Sequence, residues 1–275
     1  MRLATIRTRG GTRAVRVEGE EYVELNAGDV GELLAYPDAG ARALGAGVTG
    51  AWAGADLAPV IPRPGKTFCV GLNYRNHILE MGRELPAHPT LFAKFSDALI
   101  GARDDISLAP ESSAVDWEAE LCVVIGREVR RASDEQAVQA IAGFTAMNDV
   151  TMRDWQFRTK EWLQGKTFEG TTPLGPVLVT PDELEGGTSP RLNLASLVDG
   201  ETMQQANTSD LVFGPAALVC YISTITTLRP GDIIATGTPG GVGYARNPAT
   251  YLSNGQTLVT EISGIGRLEN VARTS

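Results

Sequence analysis

Histidine is nearly missing from this sequence: among 275 residues there are two, His77 and His88. A histidine-rich zinc centre is therefore excluded, and the lack of a cysteine cluster excludes structural zinc as well. Cysteine itself is scarce. Cys69, Cys122 and Cys220 lie far apart in apolar contexts. They have neither metal nor redox spacing and read as buried free thiols of a reducing compartment. Positive charge is thin: the net charge is −9 and Arg130-Arg131 is the only adjacent basic pair. An acidic chain repels phosphate backbones, so nucleic acid is not an expected partner. Long apolar runs are absent too. Nothing approaches the ~18 uninterrupted apolar residues of a membrane span, and "MRLATIRTRGG" lacks the apolar core of a signal peptide. The expectation is a cytoplasmic protein with no membrane partner.

Nucleotide and nucleophile signatures are missing as well. There is no G-x-x-x-x-G-K-[ST] and no G-x-S-x-G. "GAGVTG" (45–50) matches a dinucleotide fingerprint literally. It follows a helical segment rather than a strand, and no acid stands about 20 residues on. "GTPGGVG" (237–243) is glycine-rich but lacks the phosphate-binding lysine; it reads as a tight β-turn or as a backbone cradle for an anion. His88, between prolines in "PAHPT", reads as a surface-loop residue.

What is present is an ordinary globular composition, 43% apolar and 21% charged. "RLATIR", "TRAVRVEG" and "EYVELN" alternate between Gly-rich breaks, which predicts a meander of short strands. "DVGELLAY" and "AGARALG" predict short helices. "VIPRPGK" (60–66) punctuates the chain, suggesting a small N-terminal domain over residues 1–62 and a larger one over 63–275. Ser133 with Gln136 three residues on predicts a capping box, and Pro215 a first helical position. Strands are many, long helices few, and βαβ alternation is absent. The fold class expected is α+β, mostly β.

Residues 115–121, "VDWEAEL", carry Asp116, Glu118 and Glu120 at alternate positions. Alternate strand residues share a face, about 6–7 Å apart along the backbone. A solvated acidic face is the plain reading, but the same face continues into Cys122 and Val124. Like charges beside an apolar face repel and lose solvation unless something positive joins them. A hard divalent cation, Mg²⁺, Mn²⁺ or Ca²⁺, suits oxygen-only ligands. Asp149 follows an apolar run at a strand exit and is the favoured third ligand; Asp154, next to Arg153, is the rival. His77 and Glu80 share a face of a short predicted helix; the spacing reads as a solvent-facing pair or as a dyad in which a carboxylate orients an imidazole and raises its basicity. Lys166, in a Gly/Thr/Pro-rich loop, with Arg153 and Gln156, could supply the positive charge an anionic substrate needs.

"GLNYRNH", "VDWEAELCVVIG", "NDVTMRDWQ", "GKTFEGTTPLGP", "NTSD" and "PGDIIATGTPGGVG" stand in the order and spacing of the fumarylacetoacetate hydrolase family, which residues 66 to about 268 resemble. The resemblance implies a mixed β-roll of that family's C-terminal type behind a small N-terminal domain, paired as a homodimer. It implies Mg²⁺ or Mn²⁺ held by Glu118, Glu120 and Asp149, with Asp116 behind them or facing solvent. It implies a His77–Glu80 dyad on a mobile lid, Lys166 as the active-site lysine, and Arg153, Gln156 and Thr238 around the substrate. Three positions depart from the family pattern. Val70 stands where larger members carry a further acid, Phe95 where proline is common, and "FEGT" follows Lys166. The implied activity is hydrolysis of a C–C bond in an acylpyruvate-type β-diketo acid. Oxaloacetate-type decarboxylation or isomerisation of a 2-hydroxy-dienedioate are alternatives on the same site, each with a small anionic 2-oxo acid or dicarboxylate as substrate. A non-catalytic dicarboxylate-binding protein with a structural metal is the alternative of another class.

Overall fold

The computed structural model describes residues 1–80 and 82–274. The N-terminal meander consists of β1 (Arg2–Thr8), β2 (Gly11–Glu18) and β3 (Glu21–Glu24). It is followed by α1 (Val30–Ala35), α2 (Ala39–Ala43) and β4 (Thr49–Ala51). Beyond the proline-rich punctuation come β5 (Thr67–Gly71), the one-and-a-half-turn α3 (Arg75–Glu80), β6 (Thr90–Ala93), β7 (Leu99–Ile100) and β8 (Ile106–Leu108). The acidic stretch is split between β9 (Val115–Asp116) and β10 (Ala119–Ile125). It is therefore not one continuous strand: the ladder breaks at Trp117 and Glu118. Next are α4 (Asp134–Ala140), β11 (Ile141–Asn148), β12 (Thr151–Met152), α5 (Arg153–Gln156), α6 (Leu163–Lys166) and β13 (Thr172–Val179). The chain closes with β14 (Asn193–Val198), β15 (Glu201–Asn207), α7 (Pro215–Ile225), β16 (Ile233–Ala235), β17 (Thr257–Ile262) and β18 (Gly266–Thr274). The architecture is mostly β, as expected.

Local chemistry accounts for several boundaries. The Ser133–Gln136 capping box is formed in both directions at the start of α4, and Pro215 opens α7. β14 and β15 are joined by Asp199-Gly200, both at positive φ (49° and 84°). An Asp-Gly pair is what a tight hairpin turn of this twist requires. "GAGVTG" is an exposed connection into β4, with no strand-to-helix turn around it.

The large sheet runs β4-β3-β2-β1-β13-β11-β10-β16-β5-β6, with β7 alongside β13. The N-terminal meander joins it through β1, where Arg2 faces Val179 and Leu3 faces Leu178. A second sheet, β15-β14-β17-β18-β8, packs on one face of the first. Between them lie Ala119, Leu121, Val123 and Ile125 of β10 with Leu194, Ile262 and Leu268. The opposite face of β10, Cys122 and Val124, meets Met147, Cys69 and Leu33. β10 is buried along its whole length, which explains its unbroken apolar run. Cys69 and Cys122 are buried as expected; Cys220, on α7, is half-exposed, with its thiol on Asp134.

Candidate active site

Register brings the acids together. β10 and β11 are antiparallel, with Ala119 opposite Asn148 and Glu120 opposite Met147. Continued by one residue, Glu118 faces Asp149, and the Asp149 N–H donates to the Glu118 carbonyl at 2.7 Å. Opposed residues share a face and so do alternate ones. Glu118, Glu120 and Asp149 therefore converge on one side, that of Cys122 and Val124. One carboxylate oxygen from each lies within 4.8 Å of the others, and all three residues are buried.

Three cations meet this cluster. Lys166 Nζ donates to Glu118 Oε2 and to Asp149 Oδ2, both at 2.7 Å. Lys94 Nζ donates to Asp149 Oδ1 at 2.7 Å and to the Val150 carbonyl at 3.1 Å. Arg153 reaches Glu118 Oε1 at 2.6 Å through Nη2 and Gln156 Oε1 at 2.9 Å through Nη1. Burial would raise the Asp149 carboxyl, but Lys166 and Lys94 outweigh it and hold it below the ordinary range. Burial works against the Lys166 ammonium, while Asp149 and Glu118 raise its pKa overall. Glu120 is the exception. Its only direct side-chain hydrogen bond among the described residues is from the N–H of Gly237, at 2.7 Å. Burial first, then Asp149 and Glu118, push its pKa well above normal. Among the described residues no cation contacts this buried carboxylate directly, Lys166 acting on it only from a distance, and a divalent ion among the three oxygens would supply a positive neighbour. The residues fit such an ion.

The glycine-rich loop turns its N–H groups on the protein's own carboxylates. Gly237 donates to Glu120, and Gly243 and Tyr244 donate to Asp116. Gly237 adopts φ +103°, and a Cβ there would sit 2.9 Å from the Val70 carbonyl, so only glycine serves. Thr238 Oγ1 donates to the Ala119 carbonyl at 3.0 Å and accepts from Gln204 at 2.8 Å.

A cleft of about 280 Å³ opens over the cluster. Glu118, Glu120, Arg153, Gln156, Lys166, Thr238 and His77 line its polar side; Phe92, Trp162 and Tyr244 are among its apolar walls. His77 comes from α3, half-buried, and Glu80 from the end of the same helix, exposed. Both face Gly240, where a Cβ would lie 3.1 Å from His77 Nδ1 and 3.6 Å from the Glu80 carboxylate. Burial lowers the His77 pKa; Glu80 opposes it without prevailing. His77 also borders a second, outer groove of about 550 Å³ with Glu80, Asp210 and Tyr74.

The nine residues singled out from the sequence split by position. Glu118, Glu120, Asp149, Lys166, Arg153, Gln156, Thr238 and His77 meet in or under the cleft, while Glu80 stands in the outer groove. Asp154, the rival third ligand, points away and accepts from Ser112 and Ser113. Asp116 is fully buried rather than solvent-facing, and Arg153 Nε lies 2.8 Å from it. Lys166 ends a one-turn helix rather than sitting in open loop. Lys94 escaped the sequence reading altogether; its one signal is a lysine enclosed by apolar residues in "TLFAKF". No helix among the described residues is long and apolar enough to cross a membrane.

Comparison with known proteins agrees with this geometry. Residues 66–273 match the family described as fumarylacetoacetate (FAA) hydrolase C-terminal. A mitochondrial oxaloacetate tautomerase, Fahd2a of Rattus norvegicus, is 44% identical over 215 residues, covering 78% of this chain and 68% of the relative. The structure of a fumarylacetoacetate hydrolase from psychrophilic Exiguobacterium antarcticum superimposes with a TM-score of 0.89 at 28% identity over the full length of both chains. That of a 5-carboxymethyl-2-hydroxymuconate delta-isomerase from Mycobacterium smegmatis does so at 0.83 and 30%, again over the full length of both.

Proposed function

The chain belongs to the fumarylacetoacetate hydrolase family, and on that premise we propose that it interconverts the keto and enol forms of a small 2-oxo dicarboxylate of the oxaloacetate type, with Mg²⁺ or Mn²⁺. The observation that carries this reading is the buried Glu118–Glu120–Asp149 cluster with two cations, Lys166 and Arg153, beside it at the floor of the cleft. The likeness to an oxaloacetate tautomerase supports ranking enolisation ahead of the C–C hydrolysis expected from sequence.

Glu118, Glu120 and Asp149 would hold the divalent ion, which supplies Lewis acidity toward a 2-oxo carbonyl when bound. The remaining steps belong to side chains. His77 is the base that takes the proton from the carbon next to the carbonyl; burial keeps it neutral near pH 7 and so able to accept. Its second border, on the outer groove, lets that proton exchange with solvent. Lys166 spends two N–H groups on Glu118 and Asp149. It keeps its charge and offers the third as a hydrogen bond to the developing enolate oxygen, which takes its proton from solvent to become the enol. Arg153 and the amide NH₂ of Gln156 hold a substrate carboxylate, and Thr238 borders the same space. Closure of residues 74–84, of which Met81 lies outside the described residues, excludes bulk water.

Hydrolysis of an acylpyruvate is the second reading, favoured by the His77–Glu80 pair, which is placed to activate a water from the outer groove. The homodimer implied by the resemblance belongs to the same proposal and is checked by light scattering.

One panel separates the readings. With Mg²⁺, decay of enol-oxaloacetate is followed by ultraviolet absorbance, and acetylpyruvate cleavage and dienedioate isomerisation are followed beside it. The expected result is tautomerisation lowered about 100-fold or more in His77→Ala. Fast acylpyruvate cleavage without tautomerisation would make hydrolysis the first reading. Activity unaffected by chelation would remove the metal from both.

A further inference from the structure

Asp116 is the acid of the 116–120 stretch that the proposed reaction leaves unused, yet all its acceptor positions are taken. Oδ1 accepts from the Trp117 N–H at 2.8 Å and the Gly243 N–H at 2.6 Å. Oδ2 accepts from the Tyr244 N–H at 2.9 Å and from Arg153 Nε at 2.8 Å. Three backbone groups alone do not call for a full charge, since neutral side-chain oxygens cap backbone N–H groups elsewhere. The fourth donor does, because Arg153 is 6% exposed and a buried guanidinium needs an anion.

A guanidinium has five N–H groups in one plane. Arg153 commits Nε to Asp116, one N–H of Nη1 to Gln156 and one of Nη2 to Glu118. Fixed at three points, the plane cannot rotate. One N–H on each terminal nitrogen has no partner among the described residues, and Arg153 borders the cleft. Without the anchor at Nε, Glu118 is the one carboxylate among the described residues left in contact with this guanidinium.

We propose that Asp116 is a positioning residue: it orients Arg153 so that its two free N–H groups face a 2-oxo acid in the cleft, and through Gly243 and Tyr244 it fixes the wall of that cleft on the same carboxylate. The proposal rests on Arg153 holding substrate, as inferred above.

A double-mutant cycle on binding tests it without relying on turnover. Oxalate, a non-reacting stand-in for the chelating end of a 2-oxo acid, is titrated calorimetrically into the full-length protein with saturating Mg²⁺. Asp116→Asn is expected to weaken oxalate about 10-fold in the presence of Arg153. In the Arg153→Gln background the same change is expected to cost less than about 3-fold, because the effect runs through the arginine. Equal losses in both backgrounds reveal a merely structural role and overturn the proposal. No loss in either also overturns it. If Arg153→Gln itself leaves oxalate binding intact, the substrate-holding reading falls and the proposal with it, which is a different pattern from the other two.

Should Asp116→Asn fail to fold, the wild-type Arg153 Nε–H resonance, assigned through Arg153→Lys, decides. A slowly exchanging signal that persists in the oxalate complex supports the proposal. Exchange at the rate of a free guanidinium, or loss of protection when oxalate binds, overturns it.

Discussion

Lys94 and Glu120 show how single residues divide the work of one buried cluster. Lys94 is 2% exposed and makes both of its contacts within the Asp149–Val150 segment. Lys94→Met leaves Asp149 with Lys166 alone, and removing one partner of a buried pair costs about 3 kcal/mol. Urea unfolding is expected to report that loss, and added Mg²⁺ to recover part of it by binding the folded state. On the proposed function, His77 carries the pH dependence. Its pKa lies below the ordinary 6.5, chiefly through burial. The neutral, proton-accepting form is lost as pH falls through that lowered value, so kcat/KM should drop on the acid side, below pH 6.5. Glu80 favours the charged imidazole, so Glu80→Gln is expected to move the acid limb to still lower pH. A profile unmoved by that change would detach Glu80 from His77. The two-residue spacing of Glu118 and Glu120 and the strand-exit place of Asp149 were legible in the sequence. Lys94 was not, because a lone lysine at a strand end ordinarily faces water and nothing local shows which carboxylate will bury it.

At the level of elements, the site is a consequence of one register. β10 and β11 pair so that Glu118 opposes Asp149, and a slip of β10 by one residue would send Glu118 and Glu120 to the opposite face, away from Asp149. The second sheet locks that register from behind. Asn148 accepts from the Glu118 N–H and donates to Thr260 of β17, and Gln204 of β15 accepts from the Ala119 N–H while donating to Thr238 and Pro239. Gln204→Leu leaves a buried N–H unpaired, which costs about 1–3 kcal/mol. It also unpins Thr238, so a rise in KM is expected along with the fall in urea midpoint; a fall in midpoint with KM unchanged would confine Gln204 to stability. Alternation predicted one strand through "VDWEAEL" and a turn or cradle at "GTPGGVG". The strand is broken, because Asp116 turns to meet the Gly243 and Tyr244 N–H groups. That contact spans 127 residues of sequence, and no local pattern encodes it.

Across the whole molecule, the N-terminal meander and the larger β region share one sheet through β1 and β13. The proposed ion site lies near the middle of that sheet, by the start of β10 and just past the end of β11, so occupancy should be felt globally. With Mg²⁺ at about 100 times its Kd the folded state would gain about 2.7 kcal/mol, a rise in melting temperature of roughly 5 °C for a chain of this size. Glu120→Gln should abolish most of that rise, and a chelator should reverse it; equal melting temperatures with and without Mg²⁺ would refute the ion site. A last consequence lies in the company Glu118 keeps. Asp116, Glu118 and Asp149 stand against Lys94, Arg153 and Lys166, while burial, Asp149 and Glu118 push Glu120 toward its neutral form. A divalent ion held there would favour the ionised Glu120 and still add one positive charge to a balanced site. On the proposed function, an arriving dicarboxylate would be drawn in more strongly after the ion than before it. The expected kinetic order is then ion first and acid second, and the site would act as a coincidence detector for the two.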